Sequence, residues 1–357
     1  MPAYTLVEQP DQLLEWLDKH QRFGVDTEFM RERTFFSELC LIQIAAAEDI
    51  FCVDPLAGNA MHEFWKSMCQ RTWVLHSARQ DVEVIYQTAT RMPTSIFDTQ
   101  IAAGLLGYPP QMGYGNLVQE LFDVELPKTH TRANWAARPL PDKFLDYAAE
   151  DVEYLLPAYE ILAERLEQKG RLGWAEADSL MLLDPALYDI DPDQAISRLR
   201  GARNLRGRRR AVAIRLTAWR ESEALKRNRP RQWILRDSII VDIAQRLPST
   251  LQDLTRIDDM PDKVAKRAGR QILAAIAAAA NDANDYRPPK APDEEQKSLL
   301  KDMQQLVAEC ARDLDIAAET IASKKELAAV IVGGDRDSRV FGGWRRDLIG
   351  EQLASLI

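Results

Sequence analysis

The sequence has few cysteines and no long apolar run, and these absences exclude several classes of protein. Its 357 residues include only four cysteines, Cys40, Cys52, Cys69 and Cys310, with no CxxC pair. This spacing argues against a disulfide framework or a zinc site and favours buried thiols in a reducing compartment. The Ala-rich stretch at 274–280 is too short to cross a membrane. The first residues lack the layout of a signal peptide, so we expect a cytoplasmic protein that does not contact membranes.

The charge of the chain is acidic overall but unevenly distributed. The net charge is −9, and 46% of the residues are hydrophobic, which is typical of a globular protein of two or three domains. Between Arg198 and Arg236 the chain has fourteen Lys or Arg residues and two acids, so this segment carries +12 and the remainder −21. A protein with one strongly basic segment can still attract a polyanion to that segment.

Two kinds of secondary-structure pattern divide the chain. Residues 1–190 begin with three neighbouring strands and continue with alternating helices and strands, which predicts an α/β domain with a mixed sheet. A long helix is expected to start with Pro141 at its first position and to bend at Pro157. Beyond Asp191 the pattern is helical, and it predicts two all-α domains at 191–285 and 286–357. They are joined by a Pro- and Asn-rich linker at 281–292.

Two carboxylates end the second predicted strand. Asp26 and Glu28 are two residues apart, so their side chains leave the same face of the strand, and Thr27 points the other way. Two converging anions repel each other, and a divalent cation with oxygen ligands would relieve that repulsion. The alternative is an exposed strand end where both carboxylates face water.

Two further acidic positions fit a shared site. Asp81 follows the predicted strand at 73–76, and Asp151 lies four residues after Tyr147 on one helix face. Four carboxylates can hold two divalent ions, one to activate water and one to stabilise the departing oxygen of a phosphodiester. Oxygen ligands favour Mg²⁺ or Mn²⁺ over zinc. Taken singly, Asp81 is better explained by complementing a helix dipole and Asp151 by facing solvent, and only the joint pattern favours the metal site.

The same residues carry a family resemblance. Asp26-Thr27-Glu28, Asp81 and Tyr147-x3-Asp151 resemble the three motifs of the DEDDy 3′→5′ exonucleases. Their surroundings resemble the ribonuclease D family in particular, through the segments 25–30, 41–44, 76–81, 135–140 and 146–151. The resemblance implies a ribonuclease-H-like fold and two metal ions per active site. In the second motif, His76 and Gln80 replace the Asn and aromatic residue that are usual in the broader group.

The resemblance also implies a role for each residue of the motifs. Asp26 would bridge both ions, Glu28 and Asp151 would complete the ion on the nucleophile side, and Asp81 would hold the second ion. Tyr147 would orient the attacking water. Hydrolysis would release nucleoside 5′-monophosphates one at a time from a 3′ end.

Several residues near these motifs are candidates for substrate contact. Phe29 and Met30 could stack on the terminal bases, or they could pack under the sheet edge. A loop with several cations could contact phosphates, or it could be a solvated basic loop. The full candidate set is Thr27, Phe29, Met30, His76, Gln80, Lys128, His130, Arg132 and Arg138.

The basic segment resembles an HRDC domain, a helical module shared by helicases and ribonuclease D. The fit covers about 208–280, and a more diverged second copy is expected within 294–352. A cationic helical module would bind phosphates in a salt-dependent way. Its arginines could instead form salt bridges to the acidic domain. The candidate docking residues are Arg206, Arg208, Arg209, Arg210 and Arg231.

These observations predict a metal-dependent 3′→5′ exoribonuclease, and the resemblance implies that it acts on tRNA precursors and other small stable RNAs. A DNA-directed exonuclease with the same motifs is the first alternative. A non-catalytic RNA-binding scaffold with a decayed nuclease fold is the second. No extended apolar surface pattern is present, so we expect a monomer.

Overall fold

The chain forms two compact units in the computed structural model, which describes residues 2–127, 133–282 and 292–357. The first, which we call the sheet unit, comprises Met1–Met30, Glu38–Tyr188 and Lys290–Ile357. The second, the helical unit, comprises Arg31–Ser37 and Asp189–Pro289. The described residues 292–357 therefore pack within the sheet unit, whereas the sequence predicted a separate domain at 286–357.

The sheet unit is built on one six-stranded mixed sheet. Its strands are β1 (Thr5–Val7), β2 (Arg22–Met30), β3 (Glu38–Ala46), β4 (Asp49–Val53), β5 (Thr72–Leu75) and β6 (Ser95–Asp98). The spatial order is β1-β4-β3-β2-β5-β6. The β2–β3–β4 portion is antiparallel, while β1 pairs with β4, β2 with β5 and β5 with β6 in parallel. The predicted mixed sheet with flanking helices is confirmed.

Helices cover both faces of this sheet. They are α1 (Leu14–Leu17), α2 (His62–Met68), α3 (Arg79–Ala89), α4 (Thr99–Leu105), α5 (Tyr114–Phe122), α6 (Asp142–Glu153), α7 (Leu155–Gln168) and α8 (Leu172–Leu180). One buried cluster joins Phe23 and Val25 to apolar residues of α2 and α3. Another joins Ala45 and Val74 to α4, α7 and α8 on the opposite face. The strands are buried on both sides, which explains the nearly continuous apolar run of β3.

The predicted long helix is interrupted at Tyr154. Pro141 precedes the first helical turn as its N-cap, and α6 ends at Glu153 rather than bending at Pro157. Pro157 lies in the first turn of α7, where its missing N–H removes no hydrogen bond that the helix requires. The prediction of a bend at Pro157 is therefore wrong. The helix breaks at Tyr154, and Pro157 lies in the first turn of the next helix, where proline is tolerated.

The C-terminal segment is anchored to the sheet unit by a buried ion pair. It contains α14 (Glu294–Asp313), α15 (Ala318–Ile321), α16 (Lys324–Gly333), α17 (Gly343–Arg345) and α18 (Glu351–Ser355), numbered after the five helices of the helical unit. Both Asp178 carboxylate oxygens accept from Arg345 at 2.7 Å. Trp344 stacks on Trp174, with ring centroids 4.4 Å apart. These contacts explain why the segment does not form its own unit.

The helical unit contains the predicted all-α module. Its helices are α9 (Gly207–Arg227), α10 (Arg231–Ile234), α11 (Asp237–Arg246), α12 (Leu251–Thr255) and α13 (Asp262–Ala278). The core brings Val212 and Leu216 of α9 together with Ile240 of α11 and Ile272 of α13. Among the described residues, no helix is both long and apolar enough to span a membrane.

Candidate active site

A glycine lets α6 and α7 approach the centre of the sheet. A Cβ atom at Gly24 would lie 3.1 Å from the Leu155 Cβ and 3.3 Å from the Val152 carbonyl oxygen. Both distances are tighter than ordinary contacts, so a side chain at this position would push the helices away. The close approach places Asp151, next to Val152, over the end of β2.

Three carboxylates meet at that point. Oxygen atoms of Asp26, Glu28 and Asp151 lie within 4.8 Å of one another, and all three side chains are partly buried. Asp26 and Glu28 leave the same face of β2, as their spacing requires. A β-bulge follows directly after Glu28, so the pairing with β3 shifts register there before it continues with Phe29 and Met30. The arrangement matches the ligand set of a divalent cation.

Burial and mutual repulsion raise the pKa values of these carboxyls. The pKa of Asp26 is raised well above its ordinary value by burial and by the charges of Asp81, Asp151 and Glu28. The pKa of Glu28 rises from 4.5 to about 8, through burial and the charges of Asp151 and Asp81. Burial also raises the pKa of Asp151 to about 7. The charges that raise these values are those of other carboxylates, which is the conflict a metal ion would relieve.

Asp81 lies beside the carboxylate cluster but is not one of the three residues whose oxygen atoms lie within 4.8 Å of one another. Its carboxylate Oδ1 accepts a hydrogen bond of 2.6 Å from the Thr27 hydroxyl, and its side chain is buried. Burial raises the pKa of Asp81 to about 7, against the lowering effect of that hydrogen bond. Thr27 points away from Asp26 and Glu28 as predicted, but its hydroxyl is used by Asp81. We therefore assign Thr27 to holding Asp81, in place of the predicted substrate contact.

A second buried aspartate holds the turn that leads to Asp81. The Asp98 carboxylate accepts from the backbone N–H groups of Ser77 at 3.1 Å and Ala78 at 2.9 Å. It also caps α4 through the Gln100 N–H at 2.8 Å. The turn is strained, since Ser77 has a φ of 61°. These bonds keep the first turn of α3, and hence Asp81, in place.

Tyr147 lies beside the carboxylates on α6. Its hydroxyl donates a hydrogen bond to Asp151, one turn farther along the helix, and this bond lowers the pKa of Asp151. The pKa of Tyr147 is raised by burial and by the charges of Asp151 and Glu28. The phenol is therefore protonated, and because its one O–H is donated to Asp151, its oxygen can only accept a further hydrogen bond, for example from a water at the site.

The candidates of the second motif are divided between the interior and the surface. Both ring nitrogens of His76 lie within hydrogen-bond distance of protein oxygens, 2.9 Å from Thr99 Oγ1 and 2.8 Å from the Met112 carbonyl. Burial lowers the pKa of His76. These contacts give His76 a structural role instead of the predicted substrate contact. Gln80 is exposed in the first turn of α3, and its contact with substrate stays a prediction.

The apolar and basic candidates have different outcomes. Phe29 and Met30 are partly buried and pack against two different apolar clusters, as in the packing alternative. Arg138 donates to both Asp54 carboxylate oxygens at 2.6 Å and to the Cys40 carbonyl at 2.7 Å. The predicted phosphate contact of Arg138 is corrected to a structural role, because its guanidinium already binds these acceptors. Lys128, His130 and Arg132 lie outside the described residues.

Tyr114, which was not among the candidates predicted from the sequence, contacts the break between α6 and α7. Its hydroxyl accepts from the Tyr154 N–H at 3.0 Å and lies 3.3 Å from the Glu150 carbonyl oxygen. Burial and the charges of Asp151 and Asp26 raise its pKa. It also lines an open cavity of about 770 Å³ that contains Tyr147, Asp151, Asn116 and Gln119. A single tyrosine in an amphipathic helix does not indicate, from the sequence alone, that it lies beside an active site.

The basic residues of the helical unit are divided between ion pairs and exposed positions. Glu221 is fully buried and accepts from Arg198 at 3.1 Å and Arg231 at 2.7 Å. Arg206 and Arg210 donate to backbone carbonyls of the turn before α9. Arg208 and Arg209 are exposed. The ion pairs of Arg198 and Arg231 with Glu221 are therefore formed within the helical unit itself.

Comparison with known protein families defines the class of the protein. Residues 4–167 match the family of 3′-5′ exonucleases, and residues 209–276 match the HRDC domain. The carboxylate cluster lies within the first match. The protein is therefore a 3′→5′ exonuclease that carries an HRDC domain.

Full-length relatives identify the particular family. Ribonuclease D of Gluconacetobacter diazotrophicus is 35% identical over 360 residues, covering 99% of this chain and 91% of the relative. Ribonuclease D of Xanthomonas oryzae pv. oryzae is 32% identical, covering 98% of each chain. The chain belongs to the ribonuclease D family, and the predicted exoribonuclease class is confirmed.

Solved structures agree with this assignment. Escherichia coli RNase D, described as an exoribonuclease involved in structured RNA processing, matches with a TM-score of 0.89 at 27% identity. The match covers 99% of this chain and 98% of that chain. The catalytic core of RRP6 from Trypanosoma brucei shares the fold, with a TM-score of 0.61 at 22% identity and coverage of 78% and 80%.

Proposed function

We propose that this protein removes nucleoside 5′-monophosphates from RNA 3′ ends by two-metal-ion hydrolysis. The observation that carries the proposal is the convergence of Asp26, Glu28 and Asp151 within 4.8 Å. Three mutually repelling carboxylates fit a hard divalent cation, and the absence of Cys or His from this group favours Mg²⁺ or Mn²⁺.

Each carboxylate has a proposed place in the metal centre. Asp26 would bridge two ions, Glu28 and Asp151 would hold the first, and Asp81 would hold the second, in part through water. When bound, the two ions would lower the pKa of the attacking water and neutralise charge on the departing 3′ oxygen. The protonated Tyr147, anchored on Asp151, would hydrogen-bond the attacking water and aim it at the terminal phosphodiester.

The helical unit would dock the RNA. Arg208 and Arg209 are exposed at the start of α9 and support the predicted phosphate contacts. A cleft of about 840 Å³ in the same unit is lined by Arg198, Arg200, Arg220, Arg231 and Arg236. We propose that RNA phosphates bind along this surface, with Arg231 contributing charge while it remains bonded to Glu221. Arg206 and Arg210 would shape the adjoining turn.

The narrower predictions extend this proposal to the biology of the protein. We propose precursor tRNAs and small stable RNAs as substrates in the cytoplasm, and a monomeric enzyme. The structured RNA processing described for E. coli RNase D supports this substrate class. We also propose that residues 286–357 derive from a second HRDC-like module whose work is packing against the sheet unit.

A hydrolysis assay tests the proposal against its alternatives. A precursor tRNA and a single-stranded DNA, each labelled at the 3′ end, are incubated with the protein in Mg²⁺, in Mn²⁺ and in EDTA. We expect release of labelled mononucleotide from the RNA with either metal and none in EDTA. Faster release from the DNA would favour the DNA-directed alternative, and no release with any metal would favour a scaffold.

The Asp26→Asn variant shows whether the cluster is responsible. It keeps the side-chain shape but removes the proposed bridging ligand, so turnover should fall below detection while RNA binding changes little. Turnover close to that of the unmodified protein would overturn the metal assignment.

A further inference from the structure

An uncharged side chain lies directly across from Asp26 in the sheet. Gln43 of β3 is the antiparallel partner of Asp26 of β2. Residues directly opposite in an antiparallel pair have their side chains on the same face, with Cβ atoms about 4.5–5.5 Å apart. Gln43 therefore lies on the face of the sheet from which Asp26 and Glu28 project, the face that α6 covers.

The amide of Gln43 is buried and has no hydrogen-bond partner. Its side chain is 0% exposed, and neither Nε2 nor Oε1 bonds any group among the described residues. A buried polar group without a hydrogen-bond partner destabilises the fold, so both polar atoms of this amide destabilise the metal-free protein. An apolar side chain of similar size would avoid that cost.

Gln43 is packed mainly against uncharged and apolar residues. Its neighbours along β3 are Ile42 and Ile44, which point to the opposite face, and its partner on β4 is Cys52. The buried residues of α6 that face the sheet include Leu145 and Ala148, which are apolar. Of the two residues that pair with Gln43 on the neighbouring strands, Asp26 and Cys52, only Asp26 carries a charged side chain, and it is a proposed ligand of both ions.

We propose that Gln43 is a positioning residue for Asp26 in the metal-loaded site. Its amide N–H donates to the Asp26 carboxylate, directly after a rotamer change or through one buried water. The inference rests on the proposed function, because it requires Asp26 to be a metal ligand. Metal-ligating carboxylates are commonly oriented by such a bond, and losing it typically weakens metal affinity or activity about 10- to 100-fold.

The inference predicts opposite effects on the metal-free and metal-loaded protein. Gln43→Met keeps the length of the side chain and removes both unpartnered polar atoms. In EDTA, the variant should unfold at a higher urea concentration than the unmodified protein, since a buried polar cost is removed. Binding of Mn²⁺, followed by electron paramagnetic resonance without RNA, should weaken by about 10- to 100-fold.

A control variant separates this effect from general repacking of the strand. Ile44→Met places the same side chain one residue away, on the opposite face of the same strand. It should leave Mn²⁺ affinity unchanged and should not raise the stability of the metal-free protein. Turnover by Gln43→Met should recover at high Mn²⁺, with the KM for RNA unchanged.

The outcomes distinguish a failure of the proposed metal centre from a failure of the proposed role of Gln43. If Asp26→Asn binds Mn²⁺ like the unmodified protein, the proposed metal centre itself is wrong. If Asp26→Asn loses Mn²⁺ but Gln43→Met binds it normally, the role of Gln43 is wrong. A fall in the metal-free stability of Gln43→Met would also overturn the inference, because it would show that the amide is satisfied in the fold.

Discussion

Removal of metal should make the stability of the protein fall as the pH rises from about 5 to 8. The carboxyl pKa values are raised in the folded metal-free state, to about 8 for Glu28 and about 7 for Asp151. The unfolded chain releases these protons near pH 4, so the folded state binds more protons throughout the interval. Stability contributed by protonation is present at low pH and is lost as the pH rises through the folded values.

The magnitude follows from the shift of Glu28 alone. A rise of its pKa from 4.5 to about 8 corresponds to about 5 kcal/mol, since one pKa unit is worth about 1.4 kcal/mol. At about 2–4 °C per kcal/mol for a unit of this size, the melting temperature in EDTA should fall by on the order of 10 °C. Mg²⁺ at pH 8 should reverse the fall, because it binds the ionised carboxylates of the folded state.

Scanning calorimetry across this pH range, in EDTA and in Mg²⁺, measures the effect directly. Asp26→Asn provides the matched control, since it removes a carboxyl whose own pKa is raised well above its ordinary value and should therefore flatten the EDTA profile. A melting temperature in EDTA that is constant or rises between pH 5 and 8 would refute the electrostatic account of the site.

Three further perturbations test separate parts of the account. Tyr147→Phe should lower turnover by about 10²-fold while Mn²⁺ binding persists, because it removes the group that aims the water; an unchanged rate would contradict this role. Gly24→Val should cost about 1–3 kcal/mol in urea unfolding and reduce turnover about 10²-fold by displacing α6. Full activity of that variant would show that the close approach is unimportant. Joint replacement of Arg208 and Arg209 by Ala should reduce the slope of log RNA affinity against log salt concentration by about 1.4. Arg215→Ala should change that slope less, because the Arg215 side chain pairs with Asp282. Equal slopes would place the docking surface elsewhere.

Much of the sheet could be predicted because its signals are local. The apolar run of β3 and the turn before β4 mark two strands without knowledge of their partners. The spacing of Asp26 and Glu28 determines that they share a face, and the i, i+4 spacing of Tyr147 and Asp151 explains their hydrogen bond. Such relations depend only on the periodicity of one strand or one helix.

Relations between distant segments could not be predicted in this way. The bond from Thr27 to Asp81 and the position of Gln43 opposite Asp26 depend on register and on packing across the sheet. An arginine in a basic loop is a typical phosphate ligand, so Arg138 was predicted to bind phosphate. Its actual partner, Asp54, is 84 residues away in the sequence and could not be identified from local spacing. The separate domain expected at 286–357 was inferred from helical pattern, but the ion pair of Arg345 with Asp178 joins it to the sheet unit.

Diffraction from crystals soaked in Mn²⁺, recorded at the manganese absorption edge, would locate the metal ions relative to the four carboxylates. The account predicts two anomalous peaks about 3.5–4 Å apart, both in contact with Asp26. One peak should also contact Glu28 and Asp151, and the other should lie toward Asp81. Peaks absent from this cluster, or a single peak that does not contact Asp26, would contradict a two-metal nuclease centre.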